Sequence, residues 1–430
     1  MAPFIIALFA REAADAGRVG PKAANLAALG HAGLPVPDGY CLTADAYRAQ
    51  IAALGLEATA RGVFGTDDGP QARRHALAMK LNLMGESVVP EVRESLLAAR
   101  RALLGRNPGA RLVVRSSALV EDRNGSSFAG QFESFLEIED ETEFLTAVRA
   151  CWAALWSTRA LRYMAAHGLD PSDTAMALLV QPLVAARCAG GALSGTAGGD
   201  ILINATWGLG SAIAQGEVAP DRYLLTRDGK LKESIPGSKQ KRHAAGCVHI
   251  SRPGTGGSVC SPALCLDAGQ AIELARLVHE VEALMNMPVE IEWVLDDAGF
   301  KLLQARPLHL RAAVVPDEAW RQRPRINGQP AGTGWATGRA CVVSCECELA
   351  RVAPGDVLVT KMAGPALGQI LPRVAGVVAE LGGSTSHLAA LARERGVPMV
   401  LGAPEATRRI PDGAMVAVDG ISGVVRWMQG

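Results

Sequence analysis

The sequence predicts an α/β (α+β) protein built in two folded parts. Short apolar runs of strand length, such as Leu112-Val-Val-Arg115 and Ala175 to Val184, alternate with longer segments in which apolar residues recur at helical spacing. The stretch His309 to Trp335 carries Pro, Arg and Gly with little apolar period and divides the chain, which places a linker at 311–327. Beyond it, Gly338 to Gly430 repeats short β-like runs around a single helix, the pattern of a small α/β domain. At 430 residues the chain exceeds one ordinary core. The expected layout is therefore 1–310, linker, and 328–430.

Composition narrows the partners. Lys plus Arg equals Asp plus Glu at 43 each, and no like-charge block appears, so neither nucleic acid nor a membrane surface is an expected partner. Aromatics at 4% leave little for stacking single-stranded bases. The opening Pro3-Phe-Ile-Ile-Ala-Leu-Phe-Ala10 has no basic residues before it and is too short to span a bilayer, so it reads as a first strand. Nine cysteines without a paired framework or an export signal predict reduced thiols in a cytoplasmic protein. Cys341, Cys345 and Cys347 share parity, which on a strand would face a soft metal, yet the surrounding apolar run favours buried thiols.

Along the first part, Lys22 follows Gly20-Pro21 and opens a helix from Ala23 to Ala32 that Gly33 stops; a lysine there is suited to phosphate, although most such lysines are solvated. Residues 50 to 110 read as packing helices without identifiable chemistry. Arg115 ends a strand beside a polar loop from Glu121 to Gly130, and its forked donors suit either a polyphosphate or a structural ion pair. Glu141 to His167 reads as one amphipathic helix with Trp152 and Trp156 as core anchors. Gln181, next to Pro182, would either face a purine edge or sit at a strand edge. Residues 230 to 265 look like exposed hairpins, and the spacings of His243, Cys247, His249, Cys260 and Cys265 fit no zinc finger. A helix from Asp267 to Met285 leads into a hairpin on which Glu292, Gln304 and Arg306 share parity, offering two oxygen ligands for Mg²⁺ and a cation for phosphate, or else simply a polar solvated face.

In the last part, Gly382-Gly-Ser-Thr-Ser-His387 runs directly into Leu388 to Arg395, closed by Gly396 and Pro398. His387 therefore sits at a helix N-terminus, where the dipole disfavours imidazolium and would hold a phosphate attached to the ring. Gly383 allows close backbone approach, and the Thr385 and Ser386 hydroxyls are suited to phosphate oxygens; the same residues would also make an ordinary helix cap.

The run GGSTSHLAALARERGVPMVLG resembles the phosphohistidine loop and helix of the phosphoenolpyruvate synthase and pyruvate phosphate dikinase family, whose relatives include rifampicin phosphotransferases and phenylphosphate synthases. VGPKAANLAALGHAGLPVPDGY, VRSSALVEDRNGSSFAGQFESFL, VQPLV, and IEW followed by QARP resemble further family segments, in the correct order. The resemblance implies an ATP-grasp domain followed by a small swivelling phosphohistidine domain. It assigns ATP binding to Lys22, Arg115, Gly130, Ser134, Gln181 and Arg306, and Mg²⁺ to Glu292 and Gln304; the family more often has Thr where Ser134 stands. It implies phosphorylation of His387, with ATP going to AMP and Pi, followed by transfer to a small-molecule hydroxyl or enol acceptor. No segment remains for the family's phosphoenolpyruvate/pyruvate barrel, so the chain is alternatively a phosphocarrier subunit whose acceptor site lies on a partner protein. ATP binding without transfer leaves the histidine loop unexplained, and a carbon–nitrogen ligase would not need it.

Overall fold

The computed structural model describes residues 3–63, 69–121, 132, 134–166, 168–169, 174–196, 198–237, 239, 263–308, 320 and 322–428. The chain folds as two compact units, Met1–Val184 with Leu302–Arg306, and Ala185–Lys301 with Pro307–Gly430.

In the first unit, strands β1 (Ile5–Ala7), β2 (Tyr40–Leu42), β3 (Leu112–Ala118), β4 (Ser134–Ile138) and β5 (Met176–Pro182) form a sheet ordered β1-β2-β5-β3-β4. The central strands β3 and β5 are buried along nearly their whole length, which is why both read as continuous apolar runs. Helices Ala44–Ala53 and Glu141–Ala154 pack on this sheet. Trp152 and Trp156 are core residues as expected, with the Trp156 indole N–H donating to the Tyr47 hydroxyl at 2.9 Å. The expected single helix from 141 to 167 is two: Glu141–Ala154, capped by Asp140, and Thr158–Ala166. Ser157 starts the second by accepting from the Ala160 N–H at 3.2 Å. Leu155 and Trp156 stay buried through the break, so the apolar spacing hides it.

The second unit holds two sheets. Strands β6 (Cys188–Leu193), β7 (Ile201–Trp207), β8 (Asp221–Leu225), β9 (Leu231–Ile235) and β10 (Val289–Asp296) run in the order β10-β6-β7-β8-β9, with β11 (Gly299–Pro307) starting at the β10 edge. Helix Ala268–Met285 covers β7 to β10 and begins with a capping box: Asp267 accepts from the Gln270 N–H at 2.8 Å and Gln270 accepts from the Asp267 N–H at 3.1 Å. Asp267→Ala orphans one of these donors and is expected to lower the urea midpoint, a loss of about 1 kcal/mol, without changing the slope of unfolding. His243, Cys247, His249 and Cys260 lie outside the described residues. Cys265 is not exposed as the hairpin reading expected but buried beside a desolvated pair, Asp221 and Lys239, 2.6 Å apart. The Cys265 N–H donates to that same aspartate, which draws the chain inward.

Strands β12 (Arg325–Asn327), β13 (Gln329–Pro330), β14 (Trp335–Val343), β15 (Val357–Thr360), β16 (Gly376–Ala379), β17 (Met399–Leu401), β18 (Met415–Asp419) and β19 (Val424–Trp427) form the last sheet. β14 joins two halves: its start pairs antiparallel with β18 and its end pairs parallel with β15. Arg325–Asn327, placed within the linker by its composition, instead pairs with β19. Arg325 and Asn327 on either side of one buried Ile326 give no apolar period to detect. Cys341 is a buried thiol as expected, but Cys345 and Cys347 are exposed and joined by a disulfide. Their shared parity carried no meaning because β14 ends at Val343. Among the described residues no helix is long and apolar enough to cross a membrane.

Candidate active site

In the first unit, the start of helix Pro21–His31 is pressed against β3. A Cβ on Gly20 would lie 2.2 Å from the Ser117 carbonyl oxygen, and Gly20 has a φ of +77°, so only glycine fits that entry. The contact aims Lys22 along β3: its ammonium donates to the Ser116 carbonyl at 2.8 Å and stands 3.4 Å from the Glu121 carboxylate. Arg115, on the same strand, donates to the Leu303 carbonyl and, at 3.2 Å, to the Gln304 side-chain oxygen. Asn25 donates to the Ala305 carbonyl and the Leu302 N–H donates to the Pro35 carbonyl, which fix this part of β11 in place. The β3–β4 register sets Ser134 directly opposite Arg115. Lys22, Arg115, Ser134 and Gln304, which lie far apart in sequence, thus share one neighbourhood.

Sequence alone does not single out Glu121, the first residue of a polar loop. Burial pushes its carboxyl above the ordinary glutamate value, and Lys22, the Ala118 N–H and Arg115 oppose that without cancelling it. A folded-state value above the unfolded one means that this group's contribution to stability is full in acid and is lost as pH rises through the raised value. Glu121→Gln removes this titration, so the Tm of the variant relative to the native chain is expected to shift in the variant's favour as pH rises through the raised value, a change read by thermal melts across pH.

The Gln181 side chain is buried and its amide donates to the Pro37 carbonyl at 2.9 Å, a partner that strand position alone does not reveal. Arg306 is buried in the first unit, whereas Glu292 lies on β10 in the second. Gly130 lies outside the described residues.

In the second unit, His387 is the first residue of helix His387–Arg395. Ser386 caps it, its hydroxyl accepting from the Ala389 N–H at 3.3 Å, and Gly396 ends it in the left-handed conformation at a φ of +68°. Both boundaries are those expected from the residues. The loop ahead is anchored by its hydroxyls: Ser384 donates to the Pro330 carbonyl at 2.5 Å and Thr385 donates to the Asn204 side-chain oxygen at 3.4 Å. A Cβ on Gly383 would come within 2.5 Å of the Pro220 ring, so that glycine serves close packing here. His387 itself is half-buried.

In the first unit a helix lysine and a strand arginine stand beside the Gln304 side-chain oxygen, groups suited to a polyphosphate, and in the second unit a histidine starts a capped helix. The chain belongs to the pyruvate phosphate dikinase AMP/ATP-binding domain family, whose model matches residues 16–323. The mobile domain of PEP-utilising enzymes matches residues 352–423, the segment that contains the His387 helix. The chain is 30% identical to phosphoenolpyruvate synthase from Pyrococcus furiosus, over 96% of this chain and 57% of that protein. It is 31% identical to a probable phosphoenolpyruvate synthase from Methanothermobacter thermautotrophicus, over 96% and 61%. It is 30% identical to the phosphoenolpyruvate synthase of Escherichia coli, over 95% and 55%. The chain thus spans somewhat more than half the length of these relatives. Solved structures are more distant: the D-alanine-D-alanine ligase from Coxiella burnetii matches 67% of this chain and 48% of that one at 11% identity, with a TM-score of 0.28.

Proposed function

We propose that the chain is an ATP-dependent phosphotransferase that works through a phosphohistidine on His387. The observation that carries this is the placement of His387 as first residue of a Ser386-capped helix behind a glycine pair, inside the segment matched by the PEP-utilising mobile domain. At that position the positive end of the helix dipole favours an uncharged ring, which is nucleophilic, and would stabilise an anion attached to it. Lys22, Arg115 and Arg306 would neutralise the triphosphate, with Ser134, Gly130 and Gln181 completing the ATP contacts. His387 would attack the β-phosphorus in line. The bond from that phosphorus to the α–β bridging oxygen breaks, AMP leaves with the electron pair, and the histidine carries pyrophosphate. Water then removes the terminal phosphate as Pi, and the remaining phosphoryl group passes to a small-molecule hydroxyl or enol.

Glu292 and Gln304, each a hard oxygen donor of the kind Mg²⁺ takes, would hold the ion. When bound, Mg²⁺ would supply charge neutralisation at the β- and γ-phosphates. Arg115 already holds the Gln304 oxygen, so the two roles meet in one contact. The proposed division of labour is a nucleotide-binding domain over 1–310 and a phosphohistidine domain over 328–430.

ATP labelled separately at the β- and γ-phosphates tests this scheme. The β-label is expected to remain on the protein and the γ-label to leave as Pi; γ-label on the protein with release of ADP would overturn the AMP-forming route. An adduct discharged only when another protein is added would point to the phosphocarrier reading in place of a small-molecule acceptor on this chain.

A further inference from the structure

Glu290 and Arg393 form a desolvated ion pair in the second unit, 2.6 Å apart with both side chains 5% exposed. Neither residue has a role in the chemistry described so far, yet each is tied to a residue that does. Arg393 lies on the helix that His387 starts, and its other guanidinium nitrogen donates to the Ser384 carbonyl at 2.5 Å and the Ala331 carbonyl at 3.3 Å. Glu290 lies on β10 two residues before Glu292, and alternate strand residues share a face. One guanidinium therefore joins the loop that carries His387 to the strand that carries the proposed metal ligand.

A second set of contacts runs beside it. Thr385 donates to Asn204 on β7, Asn204 donates to the Gln329 side-chain oxygen at 3.1 Å, and Gln329 donates to the Pro220 carbonyl at 3.3 Å. Glycines close the remaining gaps: a Cβ on Gly191 would lie 2.6 Å from Thr385, and one on Gly216 would lie 2.4 Å from the Ala363 carbonyl oxygen. The contacts named are mostly polar groups and bare backbone, with the Pro220 ring packed on Gly383. Charges and amides regain water when such a surface separates, so it suits an interface that must open as well as close.

We propose that Glu290–Arg393, supported by Asn204–Thr385, is the docking latch that seats the histidine domain on the β6–β10 sheet for phosphorylation of His387. Glu290 is then a positioning residue: it fixes the His387 loop through Arg393 and touches no reacting atom. The inference rests on the reading of His387 as the phosphate acceptor. Small displacements of a nucleophile cost large factors in rate, so losing the latch shows in the rate of phosphorylation rather than in nucleotide affinity.

The test follows adduct formation by intact mass in single-turnover reactions with Mg-ATP, using the full chain, Glu290→Gln, Glu290→Asp and Asn204→Ala, with ATP affinity measured separately. Glu290→Gln is expected to slow phosphorylation about tenfold or more while ATP affinity stays within about twofold, with Glu290→Asp recovering part of the rate. Asn204→Ala probes the second contact set, so the latch stays testable if a Glu290 variant does not fold; it too is expected to slow phosphorylation at unchanged affinity. A folded Glu290→Gln or Asn204→Ala chain phosphorylated at the native rate would overturn the latch, and so would a loss that appears equally in ATP affinity. A native chain that forms no adduct would instead overturn the phosphohistidine reading on which the latch depends.

Discussion

His387→Ala is expected to take up no phosphate from Mg-ATP, its rate of adduct formation falling by about 10⁴-fold or more, as follows when a covalent nucleophile is removed. The variant should otherwise remain intact. Ser386, not His387, caps the helix, and Gly396 ends it, so both helix boundaries survive the change. Alanine is the best helix former and is well tolerated at the first position. Lys22, Arg115 and Gln304 stand in the first unit and are unaffected, so ATP affinity and Tm should match the native chain. Loss of the adduct with binding retained separates a chemical role for His387 from a structural one; nucleotide titration and a melt run beside the mass measurement make that separation.

Arg115→Ala is expected to reduce adduct formation by about 10²- to 10³-fold, because one side chain does two jobs. Its guanidinium would grip the triphosphate, and it already ties β3 to the Leu303 carbonyl and the Gln304 side chain. Removing it takes away a phosphate contact and also frees the proposed metal ligand. Arg115→Lys should recover little, since a point charge on a flexible stem cannot satisfy two acceptors with the forked geometry of arginine. The measurement is the rate of adduct formation against Mg-ATP concentration. A variant with unchanged rate at saturation would place Arg115 in ground-state binding only.

Much of the site was legible because it depends on local chemistry. The His387 helix was bounded by the residue types that bound any helix, a serine before it and a glycine after it, and the structure has those same caps. Strands β3 and β5 were legible as apolar runs since they are central and buried on both faces. Pairings between distant segments were not. Glu121 looked like loop polarity, and its bond to Lys22 depends on how helix Pro21–His31 enters against β3. Glu290 sits in the strand run Val289-Glu-Ile-Glu-Trp293 and Arg393 in the charged end Arg-Glu-Arg395 of its helix, and no sequence period states that the two meet. Gln181 stands beside the proline that ends the central strand β5, and its Pro37 partner is a tertiary fact that sequence position does not reveal. The break at Leu155 escaped because helical spacing continues across it in residues that remain buried.

The central claim is that this chain, given Mg-ATP, phosphorylates itself on His387. Intact-protein mass of the native chain after incubation with Mg-ATP, with nucleotide products followed in the same reaction, tests it most directly. The account predicts an acid-labile gain in mass that appears together with AMP. A chain that binds ATP yet gains no mass and leaves the nucleotide unchanged would contradict it.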